Sequence, residues 1–199
     1  YGRIMALTET KIDFLKDLGL DENTKIPALE MMSDGETKYL RDLRVNVKNV
    51  LTSTNIQSKE SYLLALSIAV NEKNDLLVKS FTEKAKELEA SEAEIAETIA
   101  CASMLASNNV FYRFRHFTKD TNPAYQTMPA GIKMNVMMNP VLGKELFELM
   151  SLAVSAVNGC ESCVNSHEES VRKLGASDAR IFDAIRLASV IRGLTLIIK

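Results

Sequence analysis

The stretch Leu88-Glu89-Ala90-Ser91-Glu92-Ala93-Glu94-Ile95-Ala96-Glu97-Thr98-Ile99-Ala100-Cys101-Ala102-Ser103 opens a helix. Ser91 can cap the first free backbone N–H groups, Glu92 and Glu94 fall in the first turn where carboxylates suit the helix dipole, and apolar residues follow at helical spacing. Eighty-six residues later the pattern returns. Leu174, Ala176, Ser177, Ala179, Ile181, Ile185, Ala188 and Ser189 stand where Leu88, Ala90, Ser91, Ala93, Ile95, Ile99, Ala102 and Ser103 stood, and Asp178 and Asp183 replace Glu92 and Glu97. Upstream, Ser67, Ala69 and Val70 meet Ser151, Ala153 and Val154 at an offset of 84, with the two-residue difference assigned to an intervening loop or helix end. The sequence therefore predicts an all-α fold containing an internally duplicated unit of three helices.

Working outward, helical periodicity places helices at 9–18, 36–50, 58–70, 74–89 and 91–107, then a less regular segment at 108–122 and a loop at 123–128. A short helix is expected at 134–138, stopped by Asn139-Pro140, followed by helices at 145–157, 160–174 and 177–198. This divides one compact domain into an N-terminal helical extension (1–57), a degenerate repeat copy (58–107), a connecting segment (108–143) and a second copy carrying the chemistry (144–199).

At 199 residues, with 46% hydrophobic and 25% charged residues, the chain can bury a substantial core. A net charge of −2 offers no bulk attraction to nucleic acid or an anionic membrane surface. No apolar run approaches the roughly 18 residues a spanning helix needs. Acids come early (Glu9, Asp13, Asp17) with no signal-peptide core, and Met5 reads as a natural start behind Tyr1-Gly2-Arg3-Ile4. The expected setting is cytoplasmic, where Cys-x-x-Cys reads as catalytic or metal-binding.

That motif lies in Asn158-Gly159-Cys160-Glu161-Ser162-Cys163-Val164-Asn165-Ser166-His167, which holds two of the three cysteines and one of the two histidines. Residues i and i+3 of a helix bring their Cα atoms within the 4.4–6.8 Å that a disulfide requires. The break at Asn158-Gly159 puts Cys160 at a helix N-terminus, where free N–H groups and the dipole stabilise a thiolate, with Glu161 opposing. His167 lies one turn beyond Cys163 and can bond it and manage its proton. Treating 145–157 and 160–174 as a hairpin puts Cys163 about 6 Å, His167 about 12 Å and Glu148 about 15 Å from the turn. Thiol, imidazole and carboxylate follow in the order a proton relay needs. At the 84-residue offset, Glu148, Cys160, Cys163 and His167 pair with Leu64, Leu76, Lys79 and Glu83, so the other copy lacks the set.

A zinc site competes with the redox reading, but its fourth ligand would have to come from Cys101, His116 or a distant acid. Cys101, on an apolar helix, is expected to be an inert small hydrophobe. The stretch 108–117, aromatics interleaved with Arg and ending near His116, is expected to pack at a subunit interface or wall the site rather than bind nucleic acid. His116 is a weak site candidate, and Met128, Met134, Met137 and Met138 are expected to fill core or interface.

Glu148 through Cys160, with Cys163, His167-Glu168, Asn108–Arg113, Met134-Asn135 and Asn139-Pro140, resembles the alkyl hydroperoxide reductase D (AhpD) proteins of the carboxymuconolactone decarboxylase-like superfamily. The resemblance covers at least 91–190. It implies a homotrimer or hexamer and a thiol-dependent hydroperoxidase and disulfide reductase with no bound cofactor or metal. The electron donor would be dihydrolipoamide or a lipoylated protein. Electrons would pass to a hydroperoxide directly or through a peroxiredoxin of the alkyl hydroperoxide reductase C type. By position, Cys163 is the inner thiol activated by His167 and Glu148, and Cys160 the more accessible, resolving thiol. Ser162 stands where some members carry a second histidine. The competing functions are a protein-disulfide reductase with little peroxidase activity and a non-catalytic metal-binding or interaction module.

Overall fold

The computed structural model describes residues 2–199, with side chains from residue 7 onward. The expectation about Tyr1-Gly2-Arg3-Ile4 and Met5 falls outside the described side chains. Ten α-helices follow in order: α1 Gly2–Asp17, α2 Pro27–Asp34, α3 Tyr39–Leu51, α4 Ser58–Asn71, α5 Asp75–Glu87, α6 Glu92–Thr118, α7 Ala124–Thr127, α8 Lys144–Val157, α9 Glu161–Lys173 and α10 Asp178–Leu194. A single 3-10 turn, Asn135–Met137, precedes α8. The described residues contain no strand, so the fold is all-α, as the periodicity predicts. None of these helices is long and apolar enough to cross a membrane.

Two runs of three helices share one spacing. The starts of α4, α5 and α6 each precede those of α8, α9 and α10 by 86 residues. The local chemistry repeats as well. Ser91 Oγ accepts from Glu94 N at 3.1 Å and Ser177 Oγ from Arg180 N at 3.1 Å. Asn74 Oδ1 accepts from Leu77 N at the start of α5, the place that Cys160 takes before α9. Lys73 and Glu89 take φ of 56° and 67° where Gly159 and Gly175 take 69° and 99°. The 84-residue offset expected for the first two helices is thus corrected to 86. Glu148, Cys160, Cys163 and His167 then face Tyr62, Asn74, Leu77 and Phe81, which still carry none of the redox set.

Burial explains why α4 and α8 lie innermost. Leu63, Leu64, Ala65, Leu66, Ile68 and Ala69 of α4 are all without exposure, and α8 buries an unbroken run from Leu149 to Ser155. Such helices, apolar on nearly every side, must be surrounded. Helices α5, α6, α8 and α10 pack on α4, while α9, α6 and α10 pack on α8. One ion cluster ties the runs together. Arg180 bonds Glu60 at 2.7 Å and Glu145 at 2.8 Å, joining the starts of α4, α8 and α10.

Several elements differ from the sequence-based expectation. An additional helix, α2, begins with Pro27 at its first position, where the missing N–H is no loss, and buries Leu29 and Ser33. Helix α6 runs on through the segment expected to be irregular. Asn108 and Asn109 are poor helix formers, but both are buried and bonded to other elements, which outweighs propensity. The expected helix at 134–138 shrinks to the 3-10 turn, and the expected loop at 123–128 holds the one-turn α7.

Candidate active site

The site is built on the α8–α9 hairpin. Its turn, Asn158-Gly159, needs a left-handed residue, and Gly159 supplies it at φ 69° without steric cost. Asn158 is clamped from three sides. Its side chain exchanges bonds with Asn71 of α4 at 2.9 and 3.0 Å and donates to Asn109 Oδ1 of α6 at 2.9 Å. Arg113 Nη1 donates to the Asn158 carbonyl at 2.7 Å. Asn109 in turn donates to Ser155 Oγ at 2.9 Å. Periodicity could not reveal this network, because its members come from three helices.

From this fixed turn Cys160 emerges as the N-cap of α9, with Cys163 in the first helical turn. The two are joined as a disulfide with Cα atoms 5.3 Å apart, within the range such a bond requires. The Cys163 N–H also points at Cys160 Sγ, 3.4 Å away. One expectation is overturned here. Cys160 is fully buried, whereas Cys163 keeps 6% exposure. The more accessible residue of the pair is Cys163, which lines a cavity that Cys160 does not reach.

His167 Nδ1 lies 2.6 Å from Glu148 Oε2, both side chains being mostly buried. The hairpin arithmetic that singled out Glu148 thus places it in direct contact with the imidazole. No bond joins Cys163 to His167 in this oxidised state, where Cys163 has no thiol proton to share. Instead the two line one cavity of about 320 Å³. Asn108 and Tyr112 of α6, Met134 and Met137 around the 3-10 turn, and Ser162 and Ser166 complete it. Part of the 108–117 stretch therefore walls the site, as one of the two sequence readings holds. Met134 and Met137 form its opposite side, and Met134 Sδ accepts from Asn108 Nδ2 at 3.0 Å.

The other candidates lie elsewhere. His116 Nε2 is 3.4 Å from the exposed Glu161 carboxylate and is not part of the cavity wall. Cys101 contacts Ser151 Oγ at 3.6 Å inside the core. Among the described residues no three His, Cys, Asp or Glu side chains come together as a metal site.

The sequence profile of the carboxymuconolactone decarboxylase family matches residues 123–197, from α7 through the redox hairpin and α10. Proteins named alkyl hydroperoxide reductase AhpD match far more of the chain. That of Coxiella burnetii is 38% identical over 169 residues, covering 83% of this chain and 94% of the relative. That of Solibacter usitatus is 39% identical over 171 residues, 85% and 94%. The Streptomyces griseus protein is 37% identical over 171 residues, 85% and 95%. The chain belongs to the alkyl hydroperoxide reductase D family.

This AhpD-family chain keeps its third cysteine out of the chemistry by burial. Desolvation pushes the Cys101 thiol up to about 12, so at neutral pH it is neither ionised nor reachable. Titration with a chromogenic thiol reagent near pH 8 is expected to find no reactive thiol in the native oxidised protein. After mild reduction two should react, and the third only after denaturation. Rapid reaction of a third thiol in the native reduced protein would contradict the buried placement of Cys101.

Proposed function

We propose that this chain is a thiol-dependent alkyl hydroperoxide reductase and disulfide reductase. Its Cys160–Cys163 pair would be re-reduced by dihydrolipoamide or a lipoylated protein. It would act in the cytoplasm, as a homotrimer or hexamer, in support of a peroxiredoxin of the alkyl hydroperoxide reductase C type. The observation that carries the reading is a disulfide of which Cys163 lines a cavity beside an imidazole backed by a carboxylate. The names of the AhpD relatives agree with its alkyl hydroperoxide reductase part.

In the reduced enzyme His167, with Nδ1–H given to Glu148, has Nε2 free to take the Cys163 proton. The thiolate attacks the distal oxygen of the hydroperoxide. The O–O bond breaks, sulfur becomes a sulfenic acid, and the alkoxide leaves with the proton that His167 returns. The Cys160 thiolate then attacks the Cys163 sulfur, hydroxide leaves as water after protonation, and the disulfide closes. Recovery runs the other way. A donor thiolate attacks Cys163, the sulfur that faces the cavity, and Cys160 leaves as a thiolate beside the N–H of Cys163 at the start of α9. The donor's second thiol resolves the mixed disulfide.

The cavity volume and the 6% exposure of Cys163 favour a slender substrate, an alkyl peroxide or a lipoyl arm, over direct attack by a folded protein's own thiol. The deciding assay couples peroxide consumption to dihydrolipoamide oxidation and counts protein thiols before and after peroxide. The expected outcome is catalytic turnover of a small organic hydroperoxide with loss of two thiols when the donor is withheld. Reduction of an oxidised peroxiredoxin without peroxide turnover would favour a protein-disulfide reductase. Neither activity, with metal bound stoichiometrically by the thiols, would remove the enzyme reading.

A further inference from the structure

Two wall positions of the redox cavity, Ser166 and His167, recur as wall positions on the first run of helices. There the positions equivalent to Ser166, His167 and Glu148 are Ser80, Phe81 and Tyr62, and all three line a second cavity, of about 210 Å³. The imidazole–carboxylate pair is replaced by an aromatic one, with Tyr62 and Phe81 ring centroids 6.2 Å apart. Helices α1 and α3 form the remaining walls.

The lining has two characters. Phe14, Val47, Leu51 and Phe81 make an apolar floor, all of them otherwise buried core residues. Around it stand Arg44, Lys48 and Lys84 with a single acid, Asp17. Arg44 is already committed to Asp17 at 2.7 Å. Lys48 has no ion pair among the described residues, and Lys84 has only a loose one, 3.5 Å from the exposed Glu87. Two cations are thus left to meet an anion. Burial raises the Tyr62 phenol above its ordinary value, so its hydroxyl keeps its proton at neutral pH, and no hydrogen bond occupies that hydroxyl among the described residues. The volume falls below the roughly 300–1,000 Å³ of sites for drug-sized ligands, so the occupant is small.

We propose that this cavity binds a small alkyl carboxylate, its chain against Phe14, Val47, Leu51 and Phe81 and its carboxylate between Lys48, Lys84 and the Tyr62 hydroxyl. The arrangement suits such a ligand because each end meets its own chemistry. The chain leaves water for an apolar floor, and the carboxylate gains charged donors at the half-exposed rim. The redox thiols take no part.

The test is calorimetric titration of octanoate into the full oxidised chain, with 1-octanol as the uncharged control. One saturable octanoate site is expected, with octanol binding about tenfold or more weaker. The double variant Lys48→Gln, Lys84→Gln should weaken octanoate about tenfold and leave octanol unchanged. Because both lysines sit at the surface, its thermal melt should match the parent's, and amide shifts on octanoate addition should centre on Tyr62 and Phe81. Absence of saturable binding, equal affinity for acid and alcohol, or full octanoate affinity in the double variant would each overturn the site. Shifts centred on Tyr112 and Met134 would place the acid in the redox cavity and overturn it too.

Discussion

Cys163→Ser is expected to abolish peroxide turnover, lowering kcat by roughly 10⁴-fold or more, the scale on which losing a nucleophile is felt. Cys160→Ser should fail differently. It keeps the sulfur that faces the cavity, so one equivalent of peroxide should still be consumed, leaving a sulfenic acid that a dimedone-type probe traps as a mass adduct. The lipoamide-supported cycle should stop, because no neighbouring thiol closes the disulfide. This asymmetry follows from burial. Cys160 has no exposure, and Cys163 is the sulfur that lines the cavity. Turnover by Cys163→Ser, or a trapped sulfenic acid on Cys160 in that variant, would reverse the assignment of the two thiols.

The second large effect concerns a residue that never meets the substrate. Glu148→Gln should reduce kcat by about 10²–10⁴-fold while leaving two titratable thiols after reduction. The carboxylate, 2.6 Å from His167 Nδ1, accepts only, so in the proposed relay it would fix the proton on Nδ1 and leave Nε2 as the base. A glutamine can donate as well, which permits the other tautomer and withdraws the base from the cavity. Glu148→Asp, which restores an acceptor without full reach, should recover part of the rate. A Glu148→Gln enzyme with parental kcat would show that the pair holds the hairpin together and does not position the base.

The parts of this molecule that were legible in its sequence are those governed by short-range rules. Helices α6 and α10 announce themselves by their caps, because Ser91 and Ser177 act within a few residues of where they stand. Glu148 could be placed against His167 because an antiparallel hairpin turns sequence distance into height. What escaped depended on other helices. Nothing local says that Cys160, at a helix N-terminus, is buried by the rest of the fold, so its burial was invisible. Asn108-Asn109 reads as a helix end until Met134 and Ser155 accept from the two side-chain amides. Eight residues of α2 carry too little period to register. The 84-residue offset arose because α4 and α8 are apolar on almost every side, and a uniformly apolar helix matches itself nearly as well two residues out of step. The caps hold the true spacing.

The clamp on Asn158 separates redox state from folding. A disulfide three residues apart closes so small a loop that its entropic contribution sits near the low end, about 2 kcal/mol. Asn71, Asn109 and Arg113 hold the same turn through bonds that do not involve sulfur. In the proposed cycle the dithiol would therefore oxidise and reduce as a local event, like a latch working on a hinge bolted elsewhere, with little of the fold's integrity at stake in either position.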